Sequence, residues 1–107
     1  MQTVPYRLVT IVAESTVRDR LLSAIHRLGA TGHTMSEVRG EGTRGGMQGA
    51  TWERPSVKIE TIVTVDVAEQ IANHVAENYF RHHSVIVYLQ DVEVLRGSKY
   101  APQNEEA

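Results

Sequence analysis

Seven of the eight glycines in this 107-residue chain lie between Gly29 and Gly49, with the run Gly40-Glu-Gly-Thr-Arg-Gly-Gly46 near their centre. Glycine admits positive φ and lets another group come close to the main chain. Successive N–H groups in such a run can converge on a phosphate or another small anion. Arg44 adds a guanidinium, which makes charge-assisted, often bidentate bonds to phosphate and carboxylate. The same composition equally suits a segment that must move. A Gly-x-Gly is weak on its own, and the residues alone leave both readings open.

The remaining side chains exclude more chemistry than they offer. There is no cysteine, which removes disulfides, thiolate zinc sites and cysteine nucleophiles. No Gly-x-Ser-x-Gly elbow accompanies the serines and histidines, and the pair Glu105-Glu106 falls in a polar tail. No residue is assigned a catalytic role. The five histidines show no metal-ligand spacing: His82 and His83 are adjacent, and His74 has no histidine at i+4. Trp52, in an otherwise polar stretch, is either an interface anchor or a cap on the edge of its own core. A formal charge of −2 argues against a nucleic-acid partner. No apolar run reaches the roughly 18 residues of a spanning helix, and Met1–Arg7 has no signal-peptide core, so a cytoplasmic protein without membrane insertion is expected.

The elements that must position these residues follow from periodicity. Tyr6–Ala13 is β-branched and aromatic and predicts a strand. Ser15 is the expected N-cap of a helix carrying Val17, Leu21, Ala24, Ile25 and Leu28, with Gly29 as its stop. Thr34–Val38 predicts a second strand. Residues 41–54 have no period and predict a flexible loop of about fourteen residues, a length seldom structureless without a functional reason. Val57, Ile59, Thr61, Val63 and Val65 alternate with Lys58, Glu60, Ile62 and Thr64 and predict a third strand. Asp66-Val-Ala-Glu69 has the form of a capping box opening a helix that buries Ala68, Ile71, Ala72, Val75, Ala76 and Tyr79. Val85–Leu89 is a strand apolar on both faces, which Val92–Leu95 extends or follows, and residues 101–107 are expected to be disordered.

The order βαββαβ is the ferredoxin-like arrangement, an α+β fold with two helices on one face of an antiparallel sheet. One domain spans residues 1–100. The second apolar face of Val85–Leu89 then needs cover, which predicts a homo-oligomer.

With the elements in order, a family resemblance emerges. Thr31-Gly-His-Thr-Met-Ser-Glu-Val-Arg-Gly-Glu-Gly42 resembles the second-strand signature of the PII signalling proteins, Thr-Gly-Met-Thr-Val-Thr-Glu-Val-(Lys/Arg)-Gly-x-Gly. Pro55-Ser-Val-Lys-Ile-Glu60 is similar to their third-strand start, Pro-Lys-Val-Lys-Ile-Glu, and the two segments bracket the place of their T-loop. The chain departs from PII proteins proper before the fourth strand, where Phe80-Arg-His-His-Ser84 has neither the glycines nor the lysine of their phosphate loop. Gly45–Trp52 also lacks the uridylylated tyrosine. These departures, with Glu93-Val-Leu-Arg-Gly97, resemble the carboxysome-associated and bicarbonate-transporter-associated PII-like branch. The cysteine-paired C-terminal loop of some transporter-associated members has no counterpart here.

The resemblance implies a homotrimer with an adenine nucleotide in each cleft between subunits: ADP or AMP first, with ATP and cyclic AMP as further candidates. It places Gly32 and Thr34 at the base and ribose, His33 between them and the phosphate segment, and Gly40, Glu41, Gly42, Thr43 and Arg44 along the phosphates. Ile62 walls the adenine or belongs to the core. Arg96 and Lys99 meet the phosphates or are surface charges. Arg44 is the candidate for a bicarbonate anion. Gly45, Gly46, Met47, Gln48, Gly49 and Trp52 form the segment expected to meet a protein target, a bicarbonate transporter or a carboxysome component. The implied role is regulatory control of inorganic-carbon uptake. Its alternatives are a trimeric metal-tolerance protein of the same fold and a slow nucleotide hydrolase. No metal and no further cofactor is assigned.

Overall fold

The computed structural model describes residues 2–39 and 55–101. Strand β1 (Val4–Glu14) takes an interior position, where both long edges are paired. A tight 3₁₀ turn, Ser15–Val17, leads into helix α1 (Arg18–Leu28). Strand β2 (Thr34–Val38), strand β3 (Ser56–Val63), helix α2 (Val65–Tyr79) and strand β4 (Val85–Val94) follow, and a second 3₁₀ turn (Gly97–Tyr100) comes last. The strands form one antiparallel sheet in the order β2-β3-β1-β4. This is the expected ferredoxin-like α+β fold.

Alternation divides each strand between two faces. Val9, Ile11 and Ala13 of β1 and Val57, Ile59 and Val63 of β3 are buried with Leu21 and Ile25 of α1 and Ile71, Val75 and Tyr79 of α2. Val85, Val87 and Leu89 of β4 pack against this core. The opposite face carries Leu8, Thr10 and Val12, whose register partners are Ile62, Glu60 and Lys58 on β3 and Gln90, Tyr88 and Ile86 on β4. No described helix covers it, and Ile86 and Tyr88 are 59% and 44% exposed. Among the described residues no helix is long and apolar enough to cross a membrane.

Several local expectations are corrected. Ser15 is not an N-cap: its N–H donates to the Pro55 carbonyl at 3.0 Å, and it starts the 3₁₀ turn that drops Val17 into the core. Helix α2 is capped by Thr64, whose hydroxyl accepts from the Val67 N–H at 3.3 Å, and not by Asp66. The threonine oxygen reaches the third helical N–H, so the strand ends at Val63, Val65 is helical, and Asp66 lies in the first turn. Val67 replaces the exposed Ala76 on the buried face of α2. Val92 and Val94 belong to β4 itself. Gly29 does end α1, at φ +128°, where its N–H meets the His26 carbonyl and the Ala30 N–H meets that of Ile25. That pair of bonds is the Schellman ending. The expected loop 41–54 and the tail 102–107 lie outside the described residues.

Candidate functional site

Three segments far apart in sequence converge at the end of the sheet where β2 begins. The first is Thr31-Gly-His33, between α1 and β2. It is tied to β3 by Thr61, whose hydroxyl donates to the Gly32 carbonyl at 2.6 Å. The second is the outer face of the sheet, where Leu8 sits opposite Ile62 and Thr34 opposite Glu60. The third is the 3₁₀ turn Gly97–Tyr100, which leaves the edge strand β4 and folds back across the start of β1. Tyr6 donates its hydroxyl hydrogen to the Gly97 carbonyl at 2.6 Å, and its ring lies 5.7 Å from that of Tyr100. A Cβ on Gly97 would come within 2.8 Å of Val4, so only glycine lets this crossing lie so close. At the far end of the turn, the Thr31 hydroxyl donates to the Lys99 carbonyl at 3.0 Å.

These segments enclose an open cleft of about 570 Å³. Its walls include Leu8 and Ile62 on the sheet, Gly32, His33 and Thr34 at the entry to β2, and Lys99 on the turn. Five of the positions selected from sequence therefore line one hollow: Gly32, His33, Thr34, Ile62 and Lys99. Arg96 does not line it; it is exposed just ahead of the 3₁₀ turn, with its carbonyl accepting from the Lys99 N–H at 3.0 Å. Gly40, Glu41, Gly42, Thr43, Arg44, Gly45, Gly46, Met47, Gln48, Gly49 and Trp52 lie outside the described residues.

Among the cleft residues that sequence reasoning missed are Leu8, Glu60 and Tyr100, besides Thr31 and Thr61. The first two were within reach, since the alternation that puts Ile62 on the outer face puts Glu60 there too, and Leu8 shares its parity with Thr10 and Val12. Tyr100 had no signal, because nothing local announces that the turn crosses β1.

The cleft combines an apolar floor with a mixed rim. Leu8 and Ile62 can pack against a flat apolar ring, Glu60 and the Thr34 hydroxyl can accept hydrogen bonds, and Lys99 supplies a cation. A second hollow of about 530 Å³ lies at the other end of β2, between Glu37, Val38 and Arg39 on one side and Ser15, Pro55 and Ser56 on the other. β2 spans the five residues between the two hollows, about 17 Å of extended chain.

Fold and cleft together define a ferredoxin-like α+β domain with a mixed apolar and polar site at one end of its sheet. More particularly, the family model of the nitrogen regulatory protein P-II matches residues 6–99, and the chain belongs to that family. A protein of Thermus thermophilus, assigned to the PII-like signalling proteins, is 46% identical over 94% of this chain and 100% of its own, with a TM-score of 0.80. CPII of Thiomonas intermedia K12, a nitrogen regulatory PII-like protein solved with ADP, AMP and bicarbonate, is 18% identical over 92% of this chain and 96% of its own, with a TM-score of 0.79. CutA of Synechococcus elongatus PCC7942 shares the fold at 13% identity over 94% of this chain and 90% of its own, with a TM-score of 0.66.

Proposed function

We propose that this chain is a non-enzymatic PII-like regulator that binds an adenine nucleotide, ADP or AMP, in the cleft beside β2. The observation that carries the reading is the convergence of Gly32, His33, Thr34, Ile62 and Lys99, chosen from sequence, on one hollow with an apolar floor. Adenine packs on Leu8 and Ile62, Lys99 at the cleft rim faces the phosphates, and Gly40–Arg44 remain the further phosphate candidates. The exposed outer face, with Ile86 and Tyr88 at its edge, supports assembly into a trimer whose neighbouring subunits complete each cleft. Arg96, exposed near the cleft, is then free to reach across to a neighbour's ligand.

Occupancy orders or releases the segment 41–54, which docks on a protein target tied to inorganic-carbon uptake or carboxysome function. Order–disorder of a loop linked to a phosphate ligand is an established switching mode. Bicarbonate acts as a co-ligand at Arg44, in keeping with the ligand set of CPII.

A thermal-shift series with AMP, ADP, ATP, cyclic AMP and divalent metals, each with and without bicarbonate, tests the reading. Saturation at a hundredfold over Kd stabilises a protein by about 2.7 kcal/mol, so ADP or AMP should raise the melting temperature by several degrees. Lys99→Ala and Ile62→Asp should each reduce the shift. Stabilisation by metals alone would sink the proposal in favour of the metal-binding alternative. Bicarbonate must change ADP affinity by the same factor that ADP changes bicarbonate affinity. A titration in which neither affects the other removes the co-ligand.

A further inference from the structure

Two imidazoles meet at the rim of the cleft. His26, in the last turn of α1, places Nε2 at 2.9 Å from Nδ1 of His33. The other nitrogen of His26, Nδ1, stands 3.0 Å from the Ala30 carbonyl oxygen. A carbonyl can only accept, so His26 Nδ1 carries a hydrogen. In the neutral ring Nε2 is then a lone pair, and it must accept from a hydrogen on His33 Nδ1. That fixes the second ring as well: His33 Nε2 is a lone pair, with no hydrogen bond among the described residues, and His33 lines the cleft. One backbone carbonyl therefore sets, through two rings, the polarity of a single atom at the site.

The pair also has a defined response to acid. One added proton leaves both hydrogen bonds intact, whether the charge resides on His33 or passes along the shared hydrogen to His26. In either case His33 Nε2 acquires a hydrogen and changes from acceptor to donor. A second proton would set two N–H groups facing each other across 2.9 Å.

We infer that the His26–His33 pair is a proton-controlled contact for the nucleoside half of the ligand. The neutral pair accepts an N–H or O–H hydrogen at His33 Nε2, and a single proton abolishes that contact. The inference rests on the proposed nucleotide reading. It assigns the nucleoside because His33 lines the same hollow as the apolar floor of Leu8 and Ile62 on which the base packs. The other ionisable groups around the pair are Glu60 on β3 and Lys99 and Tyr100 on the turn, with Arg27 and Asp66 on the side of His26.

The experiment is isothermal titration of the full chain with ADP from about pH 8 to pH 5.5, across the usual imidazole range, on wild type and His33→Gln. The wild type should lose affinity as pH falls, by up to about tenfold per pH unit once the pair is protonated, and should release a proton on binding. The glutamine amide does not titrate, so the variant should show a flatter profile. Inosine diphosphate and 2′-deoxy-ADP distinguish the donors: the analogue lacking the donor should lose the His33-dependent slope, and either result supports the assignment. As a second readout, saturating ADP should hold the histidine Cε1 resonances in their neutral positions to lower pH. Parallel pH profiles in the two proteins, or histidine resonances indifferent to ADP, overturn this inference and leave the nucleotide reading intact. Failure of any nucleotide to bind at any pH overturns both.

Discussion

Gly29 is held by two independent constraints. Its φ of +128° is a conformation that side chains rarely adopt, and a Cβ there would stand 2.9 Å from Val67 Cγ2. Gly29→Ala should therefore cost about 1–3 kcal/mol, read as a lower urea midpoint with an unchanged slope. The first constraint was legible in the sequence, because a glycine directly after a helical period marks an αL ending. The second was not, since it depends on how closely α2 approaches. Caps show the same limit. Thr64 and Asp66 are both good cap residues two positions apart, and only the strand's end at Val63 decides that the Thr64 hydroxyl meets the Val67 N–H. The histidine pair was hidden for a like reason: His26 and His33 are seven positions apart, and the Schellman turn brings the rings together.

At the scale of elements, all four strands and both helices could be read from residue pattern and composition, and the start and end of β2 were read correctly. The crossing of the final 3₁₀ turn could not be read. It rests on contacts such as Tyr6 to Gly97, 91 positions apart, and no local pattern encodes a partner at that distance. Yet this turn carries Lys99 and Tyr100 to the cleft: Lys99 was named through the family resemblance, while Tyr100 and the crossing that seats both were invisible to sequence reasoning. Tyr6→Phe removes the hydrogen bond that seats the turn. Its expected cost is about 1 kcal/mol in stability, together with a severalfold weaker ADP affinity as Lys99 loosens. A loss of stability with ADP affinity unchanged would show that the turn is not part of the nucleotide site.

For the whole molecule, the decisive feature is the uncovered side of the sheet. β4 is apolar on both faces, and Ile86 and Tyr88 on the second face stay exposed. Ile86→Glu places a charge where a neighbouring subunit should pack, and burying an unpaired charge is strongly unfavourable. Light scattering after size exclusion should find the parent at three times the chain mass and the variant as monomers. A monomeric parent would remove the inter-subunit cleft from the proposal.

The pairing of β2 with β3 has a practical meaning beyond the fold. Val38 and Ser56 are register partners on the last rung, and the Pro55 carbonyl is pinned by the Ser15 N–H. The intervening chain therefore leaves and returns about 5 Å apart, the width of one rung, from a base already closed by hydrogen bonds. Doubling the length of a loop costs only about 0.6 kcal/mol in closure entropy. Chain inserted between these two strands can therefore be lengthened at small cost while the β2–β3 pairing that anchors it stays as it is.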